Sequence, residues 1–214
     1  MDRSARPEVE EDGRRHFVSQ AQVVGPSLAK TSGPSHLRGS MPEPSIHRTA
    51  TRSDLPQIVE IYNSTIPSRI VTADTEPVSV ESRVNWFEEH TPNRRPLWVV
   101  EDAGRVVAWL SFSSFYGRPA YAKTAELSVY VHEAFRKRGF GSYLLTQALA
   151  HAPTFGVDTL LGFIFGHNEP SLALFERFGF LRWGELPKVA ALDGVERDLI
   201  IVGRRIGDAN GQLR

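Results

Sequence analysis

The order of apolar and polar positions along the chain predicts that helices and strands alternate from residue 46 onward. Leu55, Ile58 and Tyr62 recur at the spacing of one helix face, and Ser53 or Asp54 can cap this helix. Three later segments show similar patterns or cap signals. We therefore predict helices over residues 53–65, 79–90, 139–151 and 168–179.

Runs rich in Val, Ile, Phe, Tyr and Trp lie between these helices and predict strands. Two of the runs flank Ala103 and Gly104, so they should form a hairpin. The predicted strands cover residues 45–50, 96–102, 105–115, 124–131, 157–165 and 195–203. Because strands and helices alternate and no internal repeat is present, the sequence predicts one mixed α/β domain.

Composition separates the first 45 residues from the rest of the chain. Gly, Pro, Ser and charged residues dominate there, and Phe17 is the only aromatic residue. Such a segment cannot bury enough apolar surface to offset the entropy cost of ordering. We therefore expect a disordered tail over 1–45, a folded domain over 46–206 and a flexible C-terminus over 207–214. A regulatory arm, or a natural start at Met41, is the alternative for the tail.

Charge and residue counts argue against several classes of function. The 25 basic and 25 acidic side chains balance, which argues against a strongly electrostatic nucleic-acid binder. The chain contains no cysteine, so disulfides, cysteine metal sites and a cysteine nucleophile are excluded. The seven histidines show no H-E-x-x-H spacing, so no metal site is expected. The absence of a G-x-S-x-G sequence argues against an α/β-hydrolase.

The sequence shows no signal for a membrane or an export route. No apolar run approaches the roughly 20 residues that a membrane-spanning helix needs. The first residues lack the apolar core of a secretory signal. We therefore expect a cytoplasmic protein with no membrane partner.

Residues 136–142, Arg-Lys-Arg-Gly-Phe-Gly-Ser, lie between a predicted strand and a predicted helix. Leu144 stands where a dinucleotide-binding G-x-G-x-x-G sequence needs its third glycine, and no G-x-x-x-x-G-K-[ST] sequence is present. A glycine loop that opens a helix still directs several backbone N–H groups at one point, and three cations surround it. The segment therefore predicts an anion site. A tight turn with glycines for helix packing is the alternative.

This loop, together with "TAELSVYV" before it and "HNEPSLALFERFGF" after it, resembles the R-x-x-G-x-[GA] pyrophosphate loop region of the Gcn5-related N-acetyltransferases (GNAT). The stretches "IHRTATRSDLPQIVEIYN" and "FYGRPAYAKTAELSVYV" are similar to one branch, the phosphinothricin acetyltransferase-like amino-acid N-acyltransferases. The resemblance runs from Ile46 to Ile206.

The resemblance implies a GNAT fold, which is an α/β (α+β) fold with a single mixed, mostly antiparallel central sheet. Two parallel strands splay apart in this sheet, a β-bulge helps to separate them, and helices flank both faces. Relatives in this branch are commonly homodimers, so a homodimer is expected.

The resemblance also implies that acetyl-CoA is the co-substrate, held by the glycine loop and by the splayed strand. Gly139 and Gly141 would let the pyrophosphate reach backbone amides, and Asn168 would bind the cofactor from the start of the next helix. A plain helix cap is the alternative for Asn168. The predicted cofactor-binding residues are Val129, Tyr130, Val131, Lys137, Arg138, Gly139, Phe140, Gly141, Ser142 and Asn168.

By the same resemblance, Glu126 is the general base that deprotonates a primary amine. A glutamate within an apolar strand is costly unless it is paired or functional, and a strand-edge carboxylate with a cationic partner is the alternative. Glu126, Ser128 and Tyr130 share one strand face because side chains alternate. A backbone N–H near Val129 is the expected donor to the thioester oxyanion. Without a cysteine, or a serine beside a base, the acetyl group should pass directly to the amine.

The acceptor implied by the resemblance is a small amino-acid-like amine, and no nucleic acid is expected as a partner. The predicted substrate residues are Tyr116, Arg118, Tyr121, Glu126 and Ser128. Arg118 could hold a carboxylate with its planar guanidinium, and a solvated loop arginine is the alternative. Residues 62–75 should form another wall, and Phe112, Phe115 and Tyr116 should make the site partly aromatic.

The sequence departs from the family pattern at two places. Phe175 stands where many members have a tyrosine that protonates the leaving thiolate, and where this branch often has a histidine. Phenylalanine cannot donate a proton, so water or Tyr130 would supply it, or the thiolate leaves unprotonated. The hairpin over 186–198, expected to line the acceptor site or a dimer contact, matches the pattern K-x-G-x-W-x-D only at Gly194 and Asp198.

These departures leave two rivals open. One is acetylation of a protein N-terminus or a lysine. The other is a CoA-binding module without turnover. Phosphinothricin itself is not assumed as the acceptor.

Overall fold

The computed structural model describes residues 47–206, which form a seven-stranded sheet flanked by helices. The tail predicted over 1–45 and the flexible end predicted over 207–214 lie outside the described residues. The strands are β1 (His47–Thr49), β2 (Leu97–Asp102), β3 (Arg105–Ser114), β4 (Thr124–Val131), β5 (Thr159–Phe165), β6 (Leu181–Leu192) and β7 (Val195–Arg205). The helices are α1 (Leu55–Asn63), α2 (Val84–Glu88), α3 (Phe140–His151) and α4 (Glu169–Arg177). Short 3-10 helices lie at Arg52–Asp54, Ile66–Ser68, Glu81–Arg83, Pro119–Tyr121, Glu133–Phe135 and Ala152–Phe155.

The strand order is β1-β2-β3-β4-β5-β7-β6. Every neighbouring pair is antiparallel except β4 and β5, which run parallel. The prediction of a mixed, mostly antiparallel sheet with one parallel pair is therefore confirmed.

β4 and β5 pair only over their first three residues. The parallel ladder joins residues 124–126 to residues 159–161. Beyond it, residues 127–131 pair with β3, while residues 162–165 pair with β7. The two strands splay apart as predicted, and a wedge-shaped opening, the β4–β5 gap, lies between 127–131 and 162–165.

The expectation that a β-bulge helps to separate β4 from β5 is wrong. The register between β3 and β4 runs unbroken from Ala108 opposite Val131 to Ser114 opposite Ala125. In the described part of the chain the register shifts lie in β2 and β6 instead. β5 pairs with β7 from Thr159 to its end, so it follows β7 away from β4 without a bulge.

Side chains of β4 alternate between two cores on opposite sides of the sheet. Leu127 and Val129 pack with residues of α3 and α4, on a side we call the α3 face. Tyr130 packs with Trp109 and with residues of α1, on a side we call the α1 face. By the same alternation, the side chain of Glu126 points to the α1 face.

Phe112 does not line the site, contrary to the expectation that it would make the site partly aromatic. It lies opposite Leu127 and is completely buried in the core of the α3 face. Its ring contacts those of Trp98 and Phe155, with centroids 5.3 and 5.6 Å away. Both faces of β3 are covered, so an apolar strand pattern does not show which of its side chains face a site.

Two predicted elements differ from those observed. The helix predicted over 79–90 is divided into a 3-10 turn and the short α2, although Ser79 Oγ accepts a hydrogen bond from Ser82 N at 3.1 Å, as a cap should. β6 has 12 residues and is much longer than its part of the hairpin expected over 186–198. Most of its side chains are exposed on both faces, so it lacks the alternation that marks a strand.

Candidate functional site

The loop between β4 and α3 has the geometry of an anion site. Gly139 is the N-cap residue of α3 with φ of 89°, and no neighbouring heavy atom lies within 4 Å of the place where its Cβ would be. The amides of Phe140, Gly141 and Ser142 have no acceptor within the helix, so they point outward with the positive end of α3. A side chain at position 139 would be strained and would enter this space.

The three cations of this loop are placed differently. Arg136 is half-buried, and burial lowers the pKa of its guanidinium, which nevertheless stays charged. Arg138 Nη1 pairs with Asp102 Oδ2 at 3.1 Å, and its guanidinium lies 5.1 Å from the ring centroid of Phe135. Lys137 is exposed. Three cations therefore precede the start of α3 in the chain, and one of them is paired with a carboxylate.

β4 offers a strand edge to the β4–β5 gap. Val129, Tyr130 and Val131 pair with β3, and the parallel ladder with β5 stops before them. Such an edge can bond an extended ligand as if a further strand were added. Beyond the end of β5, Asn168 Oδ1 accepts a hydrogen bond from Ser171 N at 3.3 Å and caps α4. Asn168 is therefore a cap, and its cofactor role stays a prediction.

Glu126 lies at the vertex of the β4–β5 gap. It pairs with Ser113 of β3 and with Leu161 of β5, at the end of the parallel ladder. The residue is buried, with 8% of its surface exposed. On the same face, Ser128 is completely buried, and its Oγ has no hydrogen-bond partner among residues 47–206. Buried hydroxyls are normally bonded, so Ser128 marks a place where a ligand or a water molecule would bond.

Arg95 fixes the start of β4. It is buried, and its Nη2 donates to Ala122 O at 2.7 Å and to Thr124 O at 3.2 Å. Burial lowers the pKa of this guanidinium, and the charge of Arg94 lowers it further. Sequence analysis missed Arg95 because a single loop arginine carries no pattern. Its bonds hold the backbone two residues before Glu126.

A polar network that the sequence did not reveal lies beside Tyr130. Tyr62 OH donates to Asp74 Oδ2 at 2.6 Å, and Arg83 Nη2 donates to the same carboxylate oxygen at 2.8 Å. Thr72 Oγ1 bonds the same hydroxyl group. The rings of Tyr62 and Tyr130 are 5.3 Å apart, and burial raises the pKa of Tyr62. The network fastens the segment after α1 to the α1 face, and the wall of the site expected over 62–75 stays a prediction.

The loop between β3 and β4 brings aromatic side chains to the β5 side of the gap. Phe115 contacts Tyr116 and Tyr121, with ring centroids 4.4 and 5.3 Å away, and stacks on Phe163 of β5 at 6.4 Å. Tyr116 and Tyr121 are exposed. Arg118 lies between them in sequence, is exposed, and forms no ion pair with residues of the described range. Its guanidinium is free to meet an anion.

Phe175 has a packing role. It is completely buried in the core of the α3 face and contacts Phe180 with ring centroids 4.8 Å apart. Its Cε1 lies 3.0 Å from the place where a Cβ of Gly162 would be. The glycine in β5 therefore makes room for this ring.

Residues 47–206 contain neither a metal-binding cluster nor a membrane-spanning helix. Within that range no group of three or more His, Asp or Glu side chains could hold a metal ion. No helix of the same range is long and apolar enough to cross a membrane.

Known proteins resemble this chain in sequence. The model of the Acetyltransferase (GNAT) family matches residues 55–180. YwnH of Bacillus subtilis (strain 168), provisionally named a phosphinothricin acetyltransferase, is 58% identical over 160 residues, which cover 74% of this chain and 98% of YwnH. The L-amino acid N-acyltransferase MnaT of Escherichia coli (strain K12) is 30% identical over 152 residues, which cover 71% of this chain and 88% of MnaT.

Solved structures share the fold. A GNAT superfamily phosphinothricin acetyltransferase (Pat) from Sinorhizobium meliloti in complex with AcCoA gives a TM-score of 0.73 at 26% identity, over 80% of this chain and 93% of that chain. A ribosomal-protein-alanine N-acetyltransferase from Brucella melitensis gives a TM-score of 0.71 at 31% identity, over 75% of this chain and 99% of that chain.

Proposed function

This chain belongs to the acetyltransferase (GNAT) family, in its phosphinothricin acetyltransferase-like branch, and we propose that it moves the acetyl group of acetyl-CoA directly to the primary amine of a small amino-acid-like substrate. The observation that carries this proposal is the position of Glu126. A buried carboxylate lies at the vertex of the β4–β5 gap, and the loop after β4 leads to a helix start with the geometry of an anion site.

The residues around the gap fit acetyl-CoA. The open space at Gly139 and the first amides of α3 suit a pyrophosphate, with Lys137 and Arg138 close by in the chain. The strand edge at Val129, Tyr130 and Val131 suits the amides of the pantetheine arm. When bound, acetyl-CoA supplies an acetyl group activated as a thioester. The similar Sinorhizobium meliloti enzyme was solved in complex with AcCoA, which supports this choice.

Glu126 is placed to act as the general base. An ammonium group has no lone pair, so one proton must leave before the nitrogen can attack. The carboxylate accepts that proton, directly or through a water molecule. The nitrogen then forms the C–N bond and gives up its second proton to water as the C–S bond breaks, and a backbone N–H near Val129 donates to the carbonyl oxygen. The departing sulfur takes its proton from water or from Tyr130, since Phe175 has none to give.

The acceptor is an amino-acid-like molecule in this proposal. Arg118 is exposed and free of ion pairs in the described range, so it can hold a carboxylate with two parallel hydrogen bonds. Tyr116 and Tyr121 lie on the same loop, and Ser128 offers an unbonded hydroxyl on the face of Glu126. The name of the relative MnaT, an L-amino acid N-acyltransferase, supports the same class of acceptor.

A panel of acceptors, read by release of the CoA thiol, tests the proposal. The full chain is mixed with acetyl-CoA and with free amino acids and their analogues, and acetyl-CoA binding is measured by calorimetry. We expect binding, and thiol release with at least one free amino acid. Binding without release on any amine would favour a CoA-binding module, for which the missing proton donor at Phe175 is the best argument.

Acetylation of a protein N-terminus is the second candidate. The similar structure from Brucella melitensis carries the name of a ribosomal-protein-alanine N-acetyltransferase, at 31% identity. Peptides that begin with alanine, and a peptide with an internal lysine, therefore belong in the same panel. Thiol release with peptides alone would replace the small-molecule proposal.

We also propose that the protein is a cytoplasmic homodimer whose catalytic domain spans 46–206. β6 is the outer strand of the sheet, and three of its apolar side chains, Leu181, Leu186 and Val189, are exposed. An exposed apolar edge strand is typical of a contact between chains. The absence of cysteine is compatible with a reducing compartment.

A further inference from the structure

One arginine in the segment after α1 joins three parts of the chain. Arg69 Nε donates to Asp193 Oδ2 at 2.8 Å, in the turn between β6 and β7. Its carbonyl oxygen accepts a hydrogen bond from His167 Nε2 at 2.9 Å, just after β5, and its Nη1 donates to Thr75 O at 2.8 Å. Asp193 and His167 lie 124 and 98 positions from Arg69 in the sequence. We call the contacts of Arg69 with these two residues the Arg69 bridge.

The Arg69 bridge crosses the β4–β5 gap on the α1 face. The segment that carries Arg69 is fastened on the β4 side, because Val71 packs in one core cluster with Tyr130. Asp193 belongs to the β5 side, since it precedes β7 and β7 pairs with β5. His167 follows β5 directly. A contact from Arg69 to these two residues therefore connects one side of the gap to the other.

A small apolar core holds the β5 end of the bridge in place. Phe165, Leu192 and Leu199 are buried together, and Leu192 immediately precedes Asp193. The ring of His167 stacks on Phe165 with centroids 5.4 Å apart. Leu192 thus anchors the backbone next to Asp193, whose own side chain is exposed, and the stack on Phe165 positions the ring of His167.

The backbone at both ends of the ion pair is unusual. Arg69 has φ of 53° and Asp193 has φ of 49°. The second value suits an aspartate in a tight hairpin turn, whereas an arginine is uncommon in this region. The contacts made by the Arg69 side chain and carbonyl oxygen offset this strain, and strained residues of this kind cluster at functional sites.

We propose that the Arg69 bridge closes the acceptor site on the α1 face and thereby selects free small amines over the amino ends of peptides. This inference rests on the proposed function. In this proposal an acceptor whose nitrogen reaches Glu126 extends along the gap toward the bridge, which lies by Tyr130 and the end of β5. A free amino acid is short enough to end before the bridge, whereas a peptide continues by about 3.3–3.6 Å per residue and would meet the contact between Arg69 and Asp193.

Asp193→Gly tests this proposal, because glycine accepts the left-handed backbone and only the carboxylate is lost. kcat/KM is measured by thiol release for a free amino acid and for a dipeptide and a tetrapeptide that begin with it. The kcat/KM for the peptides, divided by the kcat/KM for the amino acid, should be at least about tenfold higher than in the wild type. Asp193→Asn keeps the turn and removes only the charge, so it should shift the ratio in the same direction by less.

Glu196→Ala is the matched control. Glu196 lies on the same hairpin and pairs with Lys188 at 3.2 Å, so its removal breaks an ion pair of the hairpin that has no part in the bridge. The ratio of its kcat/KM for peptides to its kcat/KM for the amino acid should equal that of the wild type. An equal rise in Glu196→Ala would overturn the proposal.

Trypsin cleavage between Arg69 and Ile70 gives a readout that does not need activity. The bridge occupies the guanidinium that trypsin must bind, so Asp193→Gly should be cut there at least about tenfold faster than the wild type or Glu196→Ala. Unchanged cleavage would show that the ion pair with Asp193 does not hold this segment, and this would overturn the proposal. Faster cleavage with an unchanged ratio would show that the bridge does not select acceptors.

The wild type itself supplies two further outcomes. A wild type that acetylates the tetrapeptide as efficiently as the amino acid overturns the selection. A wild type that releases no thiol with any free amino acid overturns the proposed function and the selection together, while the cleavage assay still reports whether the bridge exists.

Discussion

Ser128 is a completely buried serine on the face of Glu126, and its hydroxyl has no hydrogen-bond partner among the residues described. A buried hydroxyl without a partner costs about 1–3 kcal/mol of stability. That cost is explained if the bound acceptor, or a water molecule beside it, completes the bond. Ser128 then contributes to turnover and not to folding.

Ser128→Ala should therefore separate stability from activity. The unfolding free energy should stay unchanged or rise by up to about 1 kcal/mol, because an unbonded polar group is removed. kcat/KM should fall by about tenfold, because a bond to the acceptor is lost. Urea unfolding and thiol release measure the two effects. Ser111→Ala, which lies opposite Ser128 on β3, is the control and should retain more activity. A destabilised Ser128→Ala with full turnover would contradict this reading.

His90 should make the stability of the protein depend on pH. Burial lowers its pKa to about 4, although its Nδ1 donates to Trp86 O at 2.7 Å. A histidine in the unfolded chain has a pKa of about 6.5. Because the unfolded state binds the proton more tightly, the stability linked to His90 is complete above that value and is lost as the pH falls toward 4.

The wild type should therefore lose about 2 kcal/mol more unfolding free energy between pH 7 and pH 5 than His90→Asn does. Asparagine can still donate to Trp86 O but carries no titrating ring. Chemical denaturation at the two pH values measures the difference. Equal losses in the two proteins would show that His90 titrates with an ordinary pKa.

Residues differ in how far the sequence predicts them. Glu126 and Gly139 stand out locally, one as a charge in an apolar strand and the other as a glycine at a helix start. Arg95 and Asp74 do not, because their partners lie elsewhere in the chain and a charged loop residue is usually solvated. Phe112 was expected to contribute to the site but is buried in the core of the α3 face, because an apolar strand covered on both sides shows no polar face.

The start of α3 is the element proposed to bind the pyrophosphate of acetyl-CoA. Gly139→Ala should cost about 1 kcal/mol of stability, because alanine is strained at φ of 89°. It should also weaken acetyl-CoA binding by at least about tenfold, which is about 1.4 kcal/mol, because a methyl group would enter the space proposed for the pyrophosphate. Calorimetry measures the dissociation constant.

Gly156→Ala is the matched control for this element. Gly156 ends the 3-10 helix after α3 with φ of 68°, and the space at its Cβ is also open. The same strain should lower stability by a similar amount and leave acetyl-CoA binding unchanged. Equal binding losses in the two variants would show that the start of α3 does not hold the cofactor.

The sequence predicts a helix or strand well where a local pattern of residues is enough to determine it. The β2–β3 hairpin, β4, α3 and α4 follow from apolar runs, turn residues and caps. β6 does not, because it is an edge strand exposed on both faces and its register with β7 shifts twice. Its pairing with β7 is a tertiary effect that composition does not encode.

At the scale of the whole molecule, the proposed site is an opening in the sheet, bordered by segments far apart in the chain. The Arg69 bridge and the stack of Phe115 on Phe163 both cross between such segments. The resemblance to a family predicted the splayed strands, but it could not predict these contacts, which depend on residues of this particular chain.

The exposed edge strand leads to a test of assembly. Val189→Glu places a charge on the apolar surface of β6, so it should convert the proposed dimer to a monomer in sedimentation equilibrium. Ala150→Glu, on an exposed position of α3, is the control and should leave the dimer intact. A wild type that sediments as a monomer at micromolar concentration would contradict the dimer.

Glu126→Gln tests the central claim most directly, because glutamine keeps the size of the side chain but cannot accept the proton. kcat/KM is measured by thiol release with the best free amino-acid acceptor, and the dissociation constant of acetyl-CoA is measured in parallel. We predict that kcat/KM falls by about 10²- to 10⁴-fold while acetyl-CoA binding stays unchanged. A Glu126→Gln protein that turns over like the wild type would contradict the account.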